Sequence, residues 1–285
     1  MNYFSRSINN IIEQALREDI GKSDITTKSI IPEDKYVKAI LKTLEDCVIC
    51  GLNIAREVFR FQNKNIKFKP RVSDGQKIKK GKIVAYISGK AQGILTAERV
   101  ALNFLSLLSG VATKTRVYVD KVKPYKVRIL DTRKTIPGLR ELEKYAIRTG
   151  GGYNHRMRLD EMVLVKDNHL KIKTSKFKIK DLRKRISKNI KIEIEVKNLR
   201  EFKEALEARP DIIMLDNMKI IDIEKAVRIR NTLSSKTRAP SPKLEASGGI
   251  SLKNVKKIAS CGVEMISIGA LTHSFASVDI SLEIL

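Results

Sequence analysis

Between Leu130 and His169 the chain crowds Arg133, Lys134, Arg140, Lys144, Arg148, His155, Arg156, Arg158 and Lys166 into forty residues. Cations held on rigid elements at this density suit a small ligand with several carboxylate or phosphate groups, because guanidinium and ammonium groups make charge-assisted hydrogen bonds to such oxygens. The run Gly150-Gly151-Gly152 interrupts the stretch, and Thr132-Arg133-Lys134 and Asn154-His155-Arg156 each lie near a short apolar, strand-like segment. Downstream, Glu195 and Asp216 each follow an apolar run, as does Ser247-Gly248-Gly249. Carboxylates in such places suit sugar hydroxyls or a hard cation. The Gly-Gly turn ahead of the helix-like Leu252–Ser260 exposes backbone N–H groups, as a phosphate cradle does. The three histidines, His155, His169 and His273, are too dispersed for a transition-metal site, so oxygen ligands imply Mg²⁺ if any metal binds.

Such residues need a scaffold, and the rhythm after Lys126 supplies one. Apolar runs recur at Val127–Leu130 before Asp131, Met162–Val165 before Lys166, Ile192–Ile194 before Glu195, Ile212–Leu215 before Asp216, Leu244–Ala246 before Ser247 and Met265–Ile268 before Gly269, each followed by helix-like sequence. This is the βα repeat of a parallel barrel or doubly wound sheet, whose ligands meet the carboxyl ends of the strands. Upstream, Ile8–Asp19 reads as an amphipathic helix ended by Gly21, Asp24–Thr27 as a polar turn or extended segment, and Tyr36–Leu44 as a strand. Leu52–Phe61 has helical spacing, and Asp74–Gly89 alternates in short strands punctuated by glycine. Thr96 is an N-cap for a helix over Thr96–Ser109 that is apolar nearly all round, from Val100 to Leu108. Arg99 is its odd residue, and spacing alone sends that side chain to solvent along its aliphatic stem.

The bulk numbers narrow the field. With 285 residues, 42% apolar and 31% charged, the chain has an ordinary globular composition, long enough for one large domain or two modest ones. No apolar run approaches the roughly 18–20 residues that span a bilayer, and the N-terminus shows no secretion signal, so the cytoplasm is expected. The net charge of +25 comes in large part from scattered lysines, as in Lys173–Lys180. Without tryptophan, and with aromatics at 5%, stacking platforms for bases are scarce, so nucleic acid is expected to bind only non-specifically. Cys47 and Cys50 match half a zinc or redox motif, but no second pair completes it, and both read as buried structural residues.

Over most of its length the chain resembles the quinolinate phosphoribosyltransferases. The resemblance is carried by Ala15–Thr27, Thr96–Thr113, Leu130–His169, Ile194–Val196, Ile212–Asn217, Leu244–Ile250 and Ile266–His273, in that order. It implies a pentosyltransferase of NAD biosynthesis that joins quinolinate to phosphoribosyl pyrophosphate, releasing pyrophosphate and CO₂. It implies an α/β fold: an N-terminal sandwich-like domain over residues 1–115, completed by 274–285, and an open, seven-stranded TIM-like α/β barrel over 116–273. It further implies a homodimer, with higher oligomers compatible, whose active sites lie at the interface. Quinolinate's carboxylates then fall to Arg133, His155, Arg156 and Lys166, with Lys134 nearby and Arg99 supplied by the neighbouring subunit. Glu195 and Asp216 face the ribose and Mg²⁺, and Ser247, Gly248, Gly249, Gly269 and Ala270 surround the 5′-phosphate. The catalytic set is Lys134, Lys166, Glu195 and Asp216, and no organic cofactor is expected. Arg158 and Asp160 depart from the small, polar or aromatic residues usual in the family, and Arg230–Lys243 reads as a longer, more basic surface loop.

The expected chemistry is displacement of pyrophosphate at the anomeric carbon by a ring nitrogen, followed by loss of the adjacent carboxylate from the resulting pyridinium. Positioning and electrostatics would supply most of the rate. Two rivals share the pattern: a relative with another acceptor, such as the molybdenum-transport-associated homologues, and a Schiff-base aldolase using Lys166 at its strand end.

Overall fold

The computed structural model describes residues 6–172, 179–237 and 241–285. The chain forms two compact units, one of residues 1–116, 135–151 and 270–285, the other of residues 117–134 and 152–269.

The first unit is built on a four-stranded antiparallel sheet in the order Ile280–Ile284, Tyr36–Thr43, Ile83–Lys90, Lys67–Pro70. The C-terminal strand pairs Leu282 with Leu41 and Ile284 with Ala39, so the chain's last residues close one side of this sheet. Amphipathic helices follow the spacing of their apolar residues. Arg6–Ile20 buries Ile8, Ile12 and Leu16, and Leu52–Gln62 buries Leu52, Ile54, Ala55, Val58 and Phe59.

Three local expectations change. The residues after Asp24 are not extended: Asp24 caps a helix over Ile25–Ile30, its carboxylate accepting the Thr27 N–H at 2.9 Å. Thr96 is not an N-cap, because its helix starts five residues earlier and runs over Ala91–Val122; its hydroxyl donates instead to Asp24 at 3.0 Å. That helix also has the length and hydropathy to cross a bilayer, which no single apolar run in the sequence announced. It is a core element, with Ile94, Ala97, Leu105, Leu108 and Val111 fully buried. Cys47 and Cys50 are buried and unbridged as expected, and burial pushes the Cys47 thiol up to about 11.

The glycine run has a packing role in this unit. A side chain at Gly150 would meet the Ala112 carbonyl at 2.6 Å and Thr115 Cβ at the same distance, so only glycine lets helix Arg140–Thr149 end against the long helix.

The second unit is a six-stranded, all-parallel sheet in the order Arg128–Leu130, Met265–Ser267, Lys243–Ser247, Ile212–Asp216, Lys191–Val196, Met162–Val165. Seven strands were expected; the described residues form six, and at the edge Tyr153 joins Leu130 in a single parallel bridge. The sheet curls on itself: Leu130 from one edge and Met162 from the other share a buried cluster with Ile212 and Met265. Residues 192–194, 212–215 and 244–246 are buried without alternation, as strands covered on both faces must be.

The six apolar runs of the βα repeat therefore become six strands in one sheet. The connection Arg230–Lys243 is not simply a surface loop. Helix Ile220–Thr237 continues through its first half, and Arg230 is buried, pairing with Glu264 at 2.7 Å and donating to the Pro242 carbonyl. Residues 238–240 of that connection, and 173–178 of the lysine-rich stretch, lie outside the described residues.

Candidate functional site

At the carboxyl ends of adjacent parallel strands the second unit gathers charge. Val165 lies opposite Ile194 in the register, so the next residues on each strand, Lys166 and Glu195, are brought together, Nζ to Oε2 at 2.8 Å. One strand further, Asp216 lies opposite Ser247 and closes its own strand. Asn217, at a left-handed φ of 53°, turns its amide back onto the Asp216 carboxylate at 3.1 Å and donates its N–H to the Ser247 carbonyl at 2.8 Å.

That turn makes Gly248 obligatory. Its φ is +83°, and an added Cβ would stand 2.4 Å from the Asn217 side chain. Gly249 follows at φ +60°, and Asn254 ties the turn down by donating to its carbonyl and accepting the Ser251 N–H. Lys197 and Asp167, which sequence reasoning passed over, belong to the same rim. They pair at 2.6 Å, and that bond holds the Asp167 carboxyl down at about 2. The Lys197 ammonium is held above its usual range chiefly by Asp167, with further contributions from Glu195 and Asp216, so all three carboxylates face one cation.

A second group lies one step deeper. The fully buried Asp131 carboxylate accepts the His155 N–H at 2.8 Å and the Asn154 amide at 2.7 Å. It thereby joins the segment carrying Arg133 and Lys134 to the segment carrying His155 and Arg156. The Arg156 guanidinium donates to the Met162 carbonyl at 2.7 Å; burial first, and then the like charge of Arg133, lower its pKa. Lys134 is exposed.

The His155 ring makes two contacts of its own. Nδ1 accepts the Arg156 N–H at 2.9 Å, and Nε2 lies 3.0 Å from Glu193 and 3.8 Å from Glu245. Both glutamates have no exposed surface, and burial is the main cause that raises the Glu245 carboxyl to about 8, followed by the Glu193 charge. His155, Glu193 and Glu245 have the composition of a metal site, their ligand atoms lying within 4.8 Å of one another. The histidine rules it out: an Nδ1 that accepts an N–H leaves the proton on Nε2, the nitrogen a metal would need.

His155, Arg156 and Glu245 also line a cavity of about 510 Å³ that opens at the amino ends of the strands, beside Tyr153, Lys191 and Lys243. Thus the structure brings Lys166, Glu195, Asp216, Ser247, Gly248 and Gly249 to one rim, and sets His155 and Arg156 one layer below. Gly269 ends the second unit, while Arg99 and Ala270 belong to the first, Arg99 exposed on its long helix. Arg158 pairs with Asp160 at 3.3 Å on the surface, so those two departures satisfy each other.

Glu193 and Glu245 were not anticipated, yet a signal for them existed. Each lies two residues before a residue already assigned to the site, Glu195 or Ser247, and period two in a strand puts both on the same inward face.

Known proteins match this chain along most of its length. Residues 24–109 fit the N-terminal domain, and residues 111–283 the C-terminal domain, of quinolinate phosphoribosyl transferase. A Methanocaldococcus jannaschii protein named as a probable carboxylating nicotinate-nucleotide pyrophosphorylase is 46% identical over 276 residues, covering 96% of each chain. The Mycobacterium leprae nicotinate-nucleotide pyrophosphorylase is 38% identical, over 96% of this chain and 95% of its own. Among solved structures, the Ehrlichia chaffeensis nicotinate-nucleotide pyrophosphorylase superposes with a TM-score of 0.90 at 41% identity, over 99% of this chain and 100% of the other.

Proposed function

The chain belongs to the quinolinate phosphoribosyl transferase family, and on that premise we propose how its residues divide the work. It is a pentosyltransferase of NAD biosynthesis: the quinolinate ring nitrogen bonds to C1′ of phosphoribosyl pyrophosphate as the C1′–O bond to pyrophosphate breaks. The ring is then a pyridinium. The bond to the carboxylate beside the nitrogen breaks, CO₂ departs, and the electron pair left on carbon is stabilised by the adjacent positive nitrogen until a proton replaces it. The product is nicotinate mononucleotide.

In this reading the rim at the strand ends holds the sugar-phosphate. Glu195 and Asp216 orient the ribose hydroxyls and balance positive charge developing at C1′, and Ser247, Gly248, Gly249, Gly269 and Ala270 receive the 5′-phosphate through backbone N–H groups. Glu195 and Asp216 would hold Mg²⁺, which would supply positive charge to screen the pyrophosphate. The oxygen-only donor set of Glu195 and Asp216 fits such a hard cation. Lys166 and Lys134 supply positive charge to the reacting groups, and Arg133 and Arg156 bind the two carboxylates of quinolinate, with Arg99 from a second subunit of a homodimer. The protein works in the cytoplasm, its long apolar helix serving as core.

The observation that carries the division is the Lys166–Glu195 pair beside Asp216 and Ser247, on neighbouring strand ends. The same pair argues against an aldolase, because the Lys166 amine is engaged by a carboxylate at 2.8 Å instead of standing free in an apolar pocket. The test is to incubate the purified protein with quinolinate, phosphoribosyl pyrophosphate and Mg²⁺ and to measure nicotinate mononucleotide. Failure of Arg133→Met and Arg156→Met to weaken quinolinate binding would overturn the assignment of its carboxylates.

A further inference from the structure

We propose that Glu245, with Glu193, is a positioning residue for quinolinate: the two buried side chains fix the His155 ring, and the ring fixes the backbone that carries Arg156. The inference rests on the reading above, in which Arg133 and Arg156 meet the substrate's carboxylates.

The connections form one chain. Glu193 Oε2 and Glu245 Oε1 stand 3.0 and 3.8 Å from His155 Nε2, and the ring's other nitrogen accepts the Arg156 N–H at 2.9 Å. The His155 N–H is in turn fixed by Asp131, two residues before Arg133. Both ring nitrogens of His155 are thus engaged by the protein, which ties the ring to the Arg156 backbone.

Glu245, His155 and Arg156 line the open cavity at the amino ends of the strands, together with Arg128, Lys191, Arg209, Asp211 and Lys243. Asp131 faces Glu245 from the end of strand Arg128–Leu130, with Arg133 following; His155 and Arg156 come from the edge segment; Glu193 and Glu245 come from their strands. Strands Met162–Val165, Ile212–Asp216 and Met265–Ser267 contribute the buried Met162, Leu164, Ile212, Met214, Met265 and Ser267. The Glu245 carboxyl, raised to about 8 by burial and then by the Glu193 charge, is neutral at pH 7. Its neighbours include Glu193, His155, Asp131 and the Ser267 hydroxyl. Above pH 8 Glu245 ionises within 4.8 Å of Glu193 and beside the His155 Nε2–H, competing for that hydrogen and for the nearby guanidinium groups.

The experiment compares wild type, Glu245→Gln and Glu245→Leu between pH 6.5 and 9.5, reading KM for each substrate and kcat. In parallel, ¹⁵N spectra of the three histidines follow the His155 tautomer. In the wild type, KM for quinolinate should rise up to about tenfold per pH unit above pH 8, as expected for one ionisation, while KM for phosphoribosyl pyrophosphate stays level. Glu245→Gln, neutral and isosteric, should match wild type at pH 7 within about threefold and lose the alkaline rise. Glu245→Leu should raise KM for quinolinate about tenfold or more at pH 7 and change the His155 tautomer signal.

The proposal is overturned if Glu245→Gln is as impaired as Glu245→Leu, if its alkaline rise persists, or if both KM values move together. A wrong assignment of the dicarboxylate subsite shows itself differently. In that case Arg156→Met leaves quinolinate affinity intact while the His155 signal still responds to Glu245→Leu.

Discussion

Lys166 Nζ and Glu195 Oε2 lie 2.8 Å apart across the ends of two neighbouring parallel strands, with the carboxylate side chain only 9% exposed and the lysine nearly half exposed. The cation and the carboxylate that the proposed mechanism calls on are thus set against each other by the strand register before any substrate arrives. Such preorganisation means that neither has to be desolvated or turned at the moment of reaction.

Removing charge from this pair should separate the two substrates. Glu195→Gln and Asp216→Asn keep the shape and are expected to lower kcat by roughly 10²–10³-fold, with phosphoribosyl pyrophosphate binding weakened more than quinolinate binding. Isothermal calorimetry with each substrate checks this. Loss of quinolinate binding with the sugar-phosphate unaffected would reverse the two halves of the site.

Gly248 and Gly249 offer a graded test of the phosphate turn. Alanine at Gly248 adds left-handed strain at φ +83° to a clash with Asn217, whereas at Gly249 (φ +60°) the nearest atom is 3.6 Å away. The strain alone is on the order of 1–3 kcal/mol for Gly248→Ala and about 1–2 for Gly249→Ala. Gly248→Ala should therefore lower Tm further and raise KM for phosphoribosyl pyrophosphate more. Equal shifts in the two variants would show that Asn217 moves aside without consequence.

Glu245 also makes stability depend on pH in a direction that can be worked out. Its carboxyl titrates near 4.5 in ordinary surroundings and at about 8 in the fold. Between those values the native state holds a proton that the unfolded chain has lost, so stability is fully present below 4.5 and declines as pH rises through 8. Glu245→Gln lacks this term. The Tm of the variant relative to wild type should climb from pH 5 to 8 and level off above. A constant difference across that range would place the carboxyl in its ordinary range.

Much of this was legible in the residues. Six short apolar runs with polar ends gave six parallel strands, because a strand buried on both faces has to read as a continuous apolar run. Lys166, Glu195, Asp216 and Ser247 were read as strand-end residues and stand there. Glu193 and Glu245 were missed because carboxylates inside apolar strands run against transfer energetics, and their neutralisation depends on partners far away in sequence. The start of the helix Ala91–Val122 was missed for a local reason: Gly93 in its first turn looks like a break, and tertiary packing overrides that propensity.

Arg99 should act across subunits. It is exposed on a helix whose neighbours Ala97, Val100 and Ala101 are buried, so its side chain is available to another chain. Arg99→Ala and Lys166→Ala should each be inactive as homodimers, and mixing them should restore activity up to about a quarter of wild type, since statistical pairing makes half the dimers mixed and one of their two sites intact. Purified heterodimers without activity would confine Arg99 to its own subunit.

The choice of pyridine follows from the same charges. Quinolinate should be used and nicotinate should not, although nicotinate lacks only the carboxylate beside the ring nitrogen. Arg133 lies close enough to Arg156 to act on its charge, and in the proposed homodimer Lys166 and a second subunit's Arg99 would add to them. His155, expected beside them, has its ring tied to Glu193 and to the Arg156 backbone. One carboxylate leaves part of the cationic charge unpaired in a partly dry pocket, at a cost on the order of 2–5 kcal/mol, or roughly 30- to 5,000-fold in specificity. Phthalate, with both carboxylates and no ring nitrogen, should bind competitively with quinolinate and never react. Competition kinetics with the three acids decide the matter: comparable turnover of nicotinate and quinolinate would mean that the paired arginines do not read the second carboxylate.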